Sequence, residues 1–229
     1  MRYVFLGIEN VLEHDLTFLK ASSKNSRRLA GRRVGNAAQA AIDILHRRRM
    51  FVVGGLIVGN PDDDRAAIVA NLAFARKHVD WPYIQHPTPY PGTPMTREFR
   101  DRGLIESAQV EEYDGTTAVT RSVHLQPEDI EFMRWRAERW MKVRHFPAAF
   151  AHSPAFVLRH GHRMLAHTFR GTTWRSALGL ESAHDVFRRY RALRVREREY
   201  MDWPDPLPRS AESASTAESA SIDLPALAG

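Results

Sequence analysis

Residues 51–64 read FVVGGLIVGNPDDD, an apolar run that ends in glycines, a proline and three aspartates. The run predicts a strand over 51–58 that is apolar on both faces, as in a parallel strand covered by helices, and Asp64 is placed to cap the helix that follows. A further short strand is predicted over 83–86, before the proline-rich TPYPGTP at 88–94. Strands that alternate with helices predict a parallel sheet, and such sheets bind ligands at the carboxyl ends of their strands. The two strand exits therefore predict a small-molecule site.

The N-terminal segment repeats this arrangement. Residues 3–8, YVFLGI, predict a buried strand that leads directly into Glu9. A carboxylate at a strand exit could accept hydrogen bonds from the hydroxyl or amino groups of a ligand, or it could cap the next helix, and the pattern leaves both readings open. Helical spacing of apolar residues predicts two helices between this strand and Phe51.

The second half of the chain has a different pattern. A short helix is predicted from Pro94 to Gly103, and TTAVTRSVHL (116–125) predicts one isolated strand. From Pro127 onward, apolar residues recur at helical intervals among many arginines and aromatic residues, whereas the end of the chain repeats AESAS and has too little apolar surface to order itself. We predict three regions: an α/β region over 1–125, a helical C-terminal subdomain over 126–205 and a disordered tail over 206–229.

Composition excludes several kinds of chemistry. The chain contains no cysteine, which rules out disulfides, thiolate zinc sites, cysteine nucleophiles and cysteine-ligated iron–sulfur clusters within this polypeptide. The N-terminus has a strand pattern in place of a signal peptide, and no apolar stretch is long enough to span a bilayer. We expect a cytoplasmic protein, with membrane association left open.

The charge balance is basic, with a formal net charge of +6 and a pI near 10.0. Clustered cations would indicate nucleic-acid binding, because they release counterions from phosphates. Here the cations are nearly all arginine and are spread along the whole chain, and no nucleic-acid-binding module is recognisable. The sequence therefore argues against nucleic acid as a partner.

Several known binding motifs are excluded because the residues of this sequence do not have the required spacing. GGLIVGN lacks the third glycine of a dinucleotide-binding turn and the Gly-Lys-Ser/Thr of a P-loop, and the aspartates at 62–64 would repel a phosphate. Those aspartates are interpreted as capping and loop residues and not as metal ligands. The histidines His160, His162 and His167 do not reproduce the i, i+4 zinc pair. His86 stands at a strand exit, where the pattern favours a packed, hydrogen-bonded histidine over a catalytic one.

Three segments taken together resemble a known family. In this order and at these separations, GIEN (7–10), GGLIVGNPDDD (54–64) and TPYPGTP (88–94) resemble the second half of a radical S-adenosylmethionine (SAM) enzyme core. The resemblance is to the cobalamin-dependent branch of methyltransferases and anaerobic cyclases, with the hopanoid-type methylases as a nearer likeness. It covers about residues 3–125, and 126–205 resemble the helical extension of some of these enzymes. It implies the last three strands of a partial (β/α)6 barrel, followed by a helical subdomain.

The resemblance also implies a cofactor site. The glutamate of the Gly-Ile-Glu stretch, here Glu9, lies near the ribose and the methionine end of SAM in the family. The strand Gly-X-Ile-X-Gly contacts adenine, and the exit of the following strand adds backbone contacts. Where the family often has Gly-Glu-Thr, this chain has three aspartates, which keep a carboxylate and a helix cap. The implied cofactor-binding residues are Gly7, Glu9, Gly55, Ile57, Gly59, Gln85 and His86.

The chain departs from the family in one decisive respect. A radical SAM enzyme uses three cysteines, commonly in a CxxxCxxC loop, to hold the [4Fe–4S] cluster that reduces SAM, and this chain has none. The resemblance therefore assigns the cluster and cobalamin to the intact family only, with no catalytic residue and no metal ligand on this chain. We expect a C-terminal, SAM-binding part of a methyltransferase-like or cyclase-like enzyme that is inactive alone.

The missing part defines the expected partners. A three-stranded sheet that begins at Tyr3 would expose an apolar edge strand, and such edges are usually covered. We expect an N-terminal cluster-bearing polypeptide, or a missing segment of the same gene, and a small-molecule substrate for which a lipid is one candidate. The alternative is a non-catalytic module in which the basic, tryptophan-containing stretch WRAERWMKVRHF (135–146) binds an anionic partner, either a membrane surface or RNA.

Overall fold

The protein has an α/β architecture, as the sequence predicts. The computed structural model describes residues 3–22, 28–29, 32–33 and 37–200. Its elements are, in chain order, β1 (Tyr3–Glu9), α1 (Glu13–Phe18), β2 (Arg28–Leu29), β3 (Arg32–Arg33), α2 (Ala37–Arg47), β4 (Phe51–Ile57), α3 (Arg65–His78), β5 (Trp81–Gln85), α4 (Pro94–Asp101), α5 (Pro127–His152), α6 (Pro154–Thr168), α7 (Trp174–Ala177) and α8 (Ala183–Tyr200). None of the helices in these described ranges is both long enough and apolar enough to cross a lipid bilayer.

A small parallel sheet organises the N-terminal half. Its strand order is β1-β4-β5, and both pairings are parallel. Helices lie between consecutive strands of this sheet, α2 before β4 and α3 before β5, so the predicted alternation of strands and helices is confirmed. The strands β2 and β3 form a separate two-residue antiparallel ladder.

The two faces of the sheet differ in burial. Val52, Leu56 and Ile84 point into the core, where they pack with buried residues of α2 and α3. On the other face Phe5 and Tyr83 contact each other and are 60% and 47% exposed. The other face of the sheet therefore presents aromatic side chains of β1 and β5 to solvent, whereas the residues of β4 itself are buried or half-buried on both faces.

Helix α5 closes the outer edge of β5. The Ile84 carbonyl accepts a hydrogen bond from Nη1 of Arg134 at 3.4 Å, and the Ile84 N–H donates to Oε1 of Glu138 at 3.3 Å. Arg134 and Glu138 form an ion pair with each other at 3.2 Å, and Arg134 is only 4% exposed. The backbone groups of an edge strand that would otherwise be unpaired are thus satisfied by two side chains one helical turn apart.

The predicted strand over 116–125 is wrong. Its only strand-like pairing in the described chain is a single antiparallel bridge between Thr120 and Ile105. Side chains occupy the backbone donors instead, because Asp114 accepts from the N–H groups of Thr116 and Thr117, and Glu131 accepts from that of Ala118. A run of β-branched residues therefore forms a loop, in which carboxylates bind the N–H groups of 116–118 and the backbone of 104–107 pairs with Val119 and Arg121.

The helix predictions are confirmed. Thr93 caps α4 by accepting a hydrogen bond from the N–H of Thr96, and the helix ends at Asp101. Long helices follow from Pro127, as the apolar spacing predicts. The predicted tail over 206–229 lies outside the described residues, and the boundaries at 125 and 205 stay predictions.

Candidate functional site

The register of the sheet brings the predicted cofactor residues to one end. Gly7 pairs with Gly55, and Ile57 pairs with Gln85 on the next strand. Gly59 lies two residues beyond the end of β4, and His86 follows directly after β5. Because parallel strands end at the same edge of a sheet, all seven predicted residues lie at its carboxyl end.

The exit of β1 places Glu9 in an unusual conformation. The pairing with β4 shifts register between Gly7 and Glu9, and Glu9 has a φ of 64° and is half-buried. The residue at the N-cap of α1 is Leu12, and no side chain caps this helix. Glu9 therefore does not occupy the N-cap position itself, and its two predicted roles, a helix cap and a ligand contact, both stay predictions.

The Asn10 side chain links the exits of β1 and β4 by hydrogen bonds. Its Nδ2 donates to the Ile57 carbonyl at 3.1 Å, and its Oδ1 accepts from the N–H of Leu12 at 2.9 Å. The neighbouring Val11 N–H donates to Oδ1 of Asn71 on α3 at 2.9 Å. Buried amides thus fix the position of the loop after Glu9 relative to β4 and α3.

The exit of β4 is a tight turn around Asp63. Its Oδ2 accepts from the N–H groups of Gly59 at 2.7 Å and of Asn60 at 3.0 Å. Gly59 has a φ of 94°, and a Cβ at this position would lie 2.9 Å from Cγ2 of Ile130, so the turn requires glycine. Asp64 caps α3 through the N–H of Ala67, as predicted.

The exit of β5 holds Gln85 and His86 in different environments. His86 is 3% exposed, its Nδ1 donates to the Val58 carbonyl at 3.1 Å, and its N–H donates to the Gly115 carbonyl at 2.8 Å. This agrees with the interpretation of His86 as a packed strand-end histidine. The Gln85 side chain is half-buried, and its Nε2 donates to the Tyr83 hydroxyl at 3.3 Å.

A buried pair of carboxyl groups, which sequence reasoning did not predict, lies beside these exits. Asp15 on α1 is 1% exposed, and Asp63 is fully buried. Burial and the neighbouring charge of Asp15 raise the pKa of Asp63 to about 7, and burial also raises the pKa of Asp15. An aspartate in the first turn of a short helix is usually exposed to solvent. Asp15 was therefore not predicted to be a buried residue of the site.

The pair can hold a proton or a cation. One ligand atom each from His14, Asp15 and Asp63 lies within 4.8 Å of the others, so these residues could hold a metal ion. Beside them is the buried Asn60, whose side-chain atoms have no hydrogen-bond partner among the described residues. Two buried carboxylates repel each other, so sharing a proton or binding a cation would stabilise the turn.

Comparisons with known proteins point to methyltransferases. No family model matches the chain. It is 28% identical over 127 residues to bacteriochlorophyllide d C-8(2)-methyltransferase of Chlorobaculum tepidum, which is 55% of this chain and 26% of that protein. It is 31% identical over 85 residues to bacteriochlorophyllide d C-12(1)-methyltransferase of the same organism, which is 37% of this chain and 17% of that protein.

A relative from another organism gives a similar match. The chain is 27% identical over 131 residues to an uncharacterised methyltransferase of Pyrococcus horikoshii, covering 56% of this chain and 26% of that protein. The chain thus spans about a quarter or less of the length of the curated relatives that it matches. These matches support a relation to methyltransferases over part of the chain.

Proposed function

We propose that the chain is the SAM-binding part of a methyltransferase-like radical SAM enzyme of the cobalamin-dependent branch. The observation that carries the proposal is the register of the sheet, which aligns the exits of β1, β4 and β5 at one end. The partial matches to methyltransferases support the same reading. In this proposal the sheet forms part of a (β/α)6 barrel.

The site offers groups suited to each part of SAM. Glu9 supplies a carboxylate for the ribose hydroxyls or for the amino group of the methionine end. Ile57 supplies an apolar contact, and the backbone at Gly55, Gly59 and Gln85 supplies donors and acceptors for adenine. The partly exposed face of the sheet lies next to this edge and carries Phe5 and Tyr83, with ring centroids 5.5 Å apart. Aromatic side chains on an open face are a surface on which a planar base can pack.

The chain's own residues do not fit a [4Fe–4S] cluster, because the sequence has no cysteine to ligate it. We propose that a cluster-bearing segment or polypeptide supplies this group and the cobalamin site, and that this chain supplies the SAM contacts. The methyl acceptor is a small molecule, with a lipid as one candidate.

Binding of SAM tests the proposal directly. Equilibrium dialysis with labelled SAM should show saturable binding to the full chain. Glu9→Gln should weaken the affinity at least about tenfold, which corresponds to about 1.4 kcal/mol. The control is Glu13→Gln, which removes the same charge from an exposed position on α1 and should change the affinity less than about twofold. Absence of SAM binding to the wild type, or equal losses in both variants, would contradict the proposal.

The role of a cluster-bearing partner needs a separate test. After anaerobic reconstitution with iron and sulfide, this chain alone should hold no cluster, whereas its complex with a CxxxCxxC-containing partner should. Genomic sequence beside the gene is the place to search for that partner. If none is encoded there, the partner proposal fails, although SAM binding by this chain would still stand.

A further inference from the structure

A cleft of ≈ 210 Å³ lies at the opposite end of the sheet from the strand exits. It forms where the end of α3 and the turn into β5 meet the second half of α5. Cationic and imidazole side chains form most of its polar lining, and these are Arg76, Lys77, Arg144, His46, His78 and His145. Trp140 and Met141 supply an apolar wall.

The charges in the cleft are unbalanced. Arg76, Lys77 and Arg144 are permanent cations, and in the described part of the chain no carboxylate pairs with them. Asp80 is the acidic residue of the lining, and its Oδ2 is already engaged by His46 Nε2 at 2.7 Å and by the Val52 N–H at 2.8 Å. The cleft therefore carries an excess of positive charge.

Two of the cations are held close together. The guanidinium groups of Arg76 and Arg144 lie over the ring of Trp140, at 4.2 and 5.2 Å from its centroid. Arg144 also donates from Nη1 to the carbonyl of Arg76 at 2.9 Å. Two like charges held near one ring repel each other, and an anion bound near them would be attracted by both. These contacts restrict the two guanidinium groups before a ligand binds, which lowers the entropic cost of binding.

Burial favours the neutral form of two histidines of the cleft, His78 and His145. Burial and the charge of Lys77 lower the pKa of His78, and burial lowers the pKa of His145. A neutral imidazole still donates one N–H. The cleft can thus offer hydrogen bonds from histidines in addition to the fixed charges of its arginines.

We propose that this cleft binds the phosphate group of a phosphorylated ligand. A phosphate monoester carries up to two negative charges and three acceptor oxygens, which match several cations at once better than a single carboxylate does. The wall formed by Trp140 and Met141 would contact the organic group attached to the phosphate. The site lies at the other end of the strands from Glu9 and does not depend on the proposed SAM site.

Calorimetric titration with inorganic phosphate and with pyrophosphate tests the proposal. Both should bind the full chain, and pyrophosphate should bind more tightly because it carries more charge. The double variant Arg76→Gln/Arg144→Gln should lose at least tenfold in affinity. The matched control is Arg97→Gln/Arg100→Gln, which removes two exposed cations from α4 beyond the strand exits and should change the affinity less than twofold. These four side chains are exposed, so the variants should fold, and circular dichroism checks this.

A second arm identifies the source of the phosphate. Binding to phosphatidylcholine vesicles with and without phosphatidic acid should be compared for the wild type and for the cleft variant. Phosphatidic-acid binding that the cleft variant loses and pyrophosphate competes away would assign a lipid headgroup, whereas pyrophosphate binding without vesicle binding would assign a free phosphorylated molecule. No binding of either probe, or an equal loss in the cleft variant and the control, would overturn the proposal.

Discussion

The two ends of the parallel sheet are built from different chemistry. At the carboxyl end the exits of β1, β4 and β5 depend on glycine, buried amides and backbone N–H groups, with a carboxyl pair beneath them. At the amino end the same strands begin with Tyr3, Phe51 and Trp81, whose rings surround His145 of α5. One sheet thus presents a glycine-rich end with buried carboxyl groups and a cationic, aromatic end.

The first prediction tests how much the contact between α5 and the edge of β5 stabilises the sheet that carries both ends. Arg134→Met removes the ion pair with Glu138 and the donor to the Ile84 carbonyl, and it should cost about 3–4 kcal/mol of unfolding free energy. Chemical denaturation measures the loss. Arg136→Met, at an exposed position on the same helix, should cost less than about 0.5 kcal/mol. Equal losses in the two variants would show that α5 does not hold the edge of β5.

The second prediction concerns the carboxyl pair at the glycine-lined end. The pKa of Asp63 is about 7 in the folded chain and 3.8 when unperturbed, so the folded state binds the proton more tightly. This contribution to stability is complete below about pH 4 and is lost as the pH rises through about 7, and a shift of about three pKa units makes it on the order of 4 kcal/mol. Asp63→Asn keeps an oxygen acceptor for the two N–H groups and should reduce the loss, with the raised pKa of Asp15 accounting for what remains. Denaturation at several pH values measures it.

A neighbouring aspartate provides the control with the opposite sign. The hydrogen bond from Arg102 lowers the pKa of Asp62. The contribution of Asp62 to the free energy of unfolding is therefore present at a pH above the ordinary pKa of an aspartate, and it is lost as the pH falls. Asp62→Asn should therefore leave the wild-type loss between pH 4 and 7 in place. If this variant abolished the loss and Asp63→Asn did not, the assignment to the buried pair would be wrong.

The third prediction separates backbone strain from packing at the strand exit. Gly59→Ala places a methyl group at a φ of 94° and 2.9 Å from Ile130, and it should cost about 2 kcal/mol or more. Gly92→Ala has a φ of 83° but nothing within 4 Å of the new Cβ, so only the strain of about 1 kcal/mol should appear. A thermal-unfolding comparison gives the difference. Equal costs would mean that contact with Ile130 does not matter.

The fourth and smallest effect is expected at the aromatic end. Tyr3→Phe removes the hydroxyl that lies 2.8 Å from Nε2 of His145 and should cost about 1 kcal/mol. Because the hydroxyl is at the amino end, the affinity for SAM should stay within twofold of the wild type. A larger change in SAM affinity would show that the two ends are coupled, and dialysis measures it.

The strand exits were predictable because local signals coincide there. Apolar runs mark β1 and β4, glycine marks the turn at 59, and Asp64 stands where a helix cap is needed. The loop over 116–125 was not predictable, because carboxylates from Asp114 and Glu131 take the donors that a partner strand would use. Hydrogen bonds from a loop backbone to side chains elsewhere in the chain leave no periodic pattern in the sequence.

The basic cleft and the carboxyl pair escaped prediction for a related reason. Arg76 and Arg144 are 68 positions apart and meet only because α5 packs beside α3. Asp15 and Asp63 are likewise brought together by the sheet, from an acidic helix start and an acidic loop that each read as solvent-exposed. Residue types are visible in a sequence, whereas their convergence depends on tertiary packing.

The hydrogen bonds of Arg134 and Glu138 with β5 determine at which edge the sheet can accept another strand. With the outward N–H and C=O of Ile84 occupied by side chains, no further strand can add beside that residue. In the order β1-β4-β5, any strand that extends the sheet must therefore join at β1. Assembly with another segment would proceed from one side only, and the closed side would be protected against edge-to-edge aggregation.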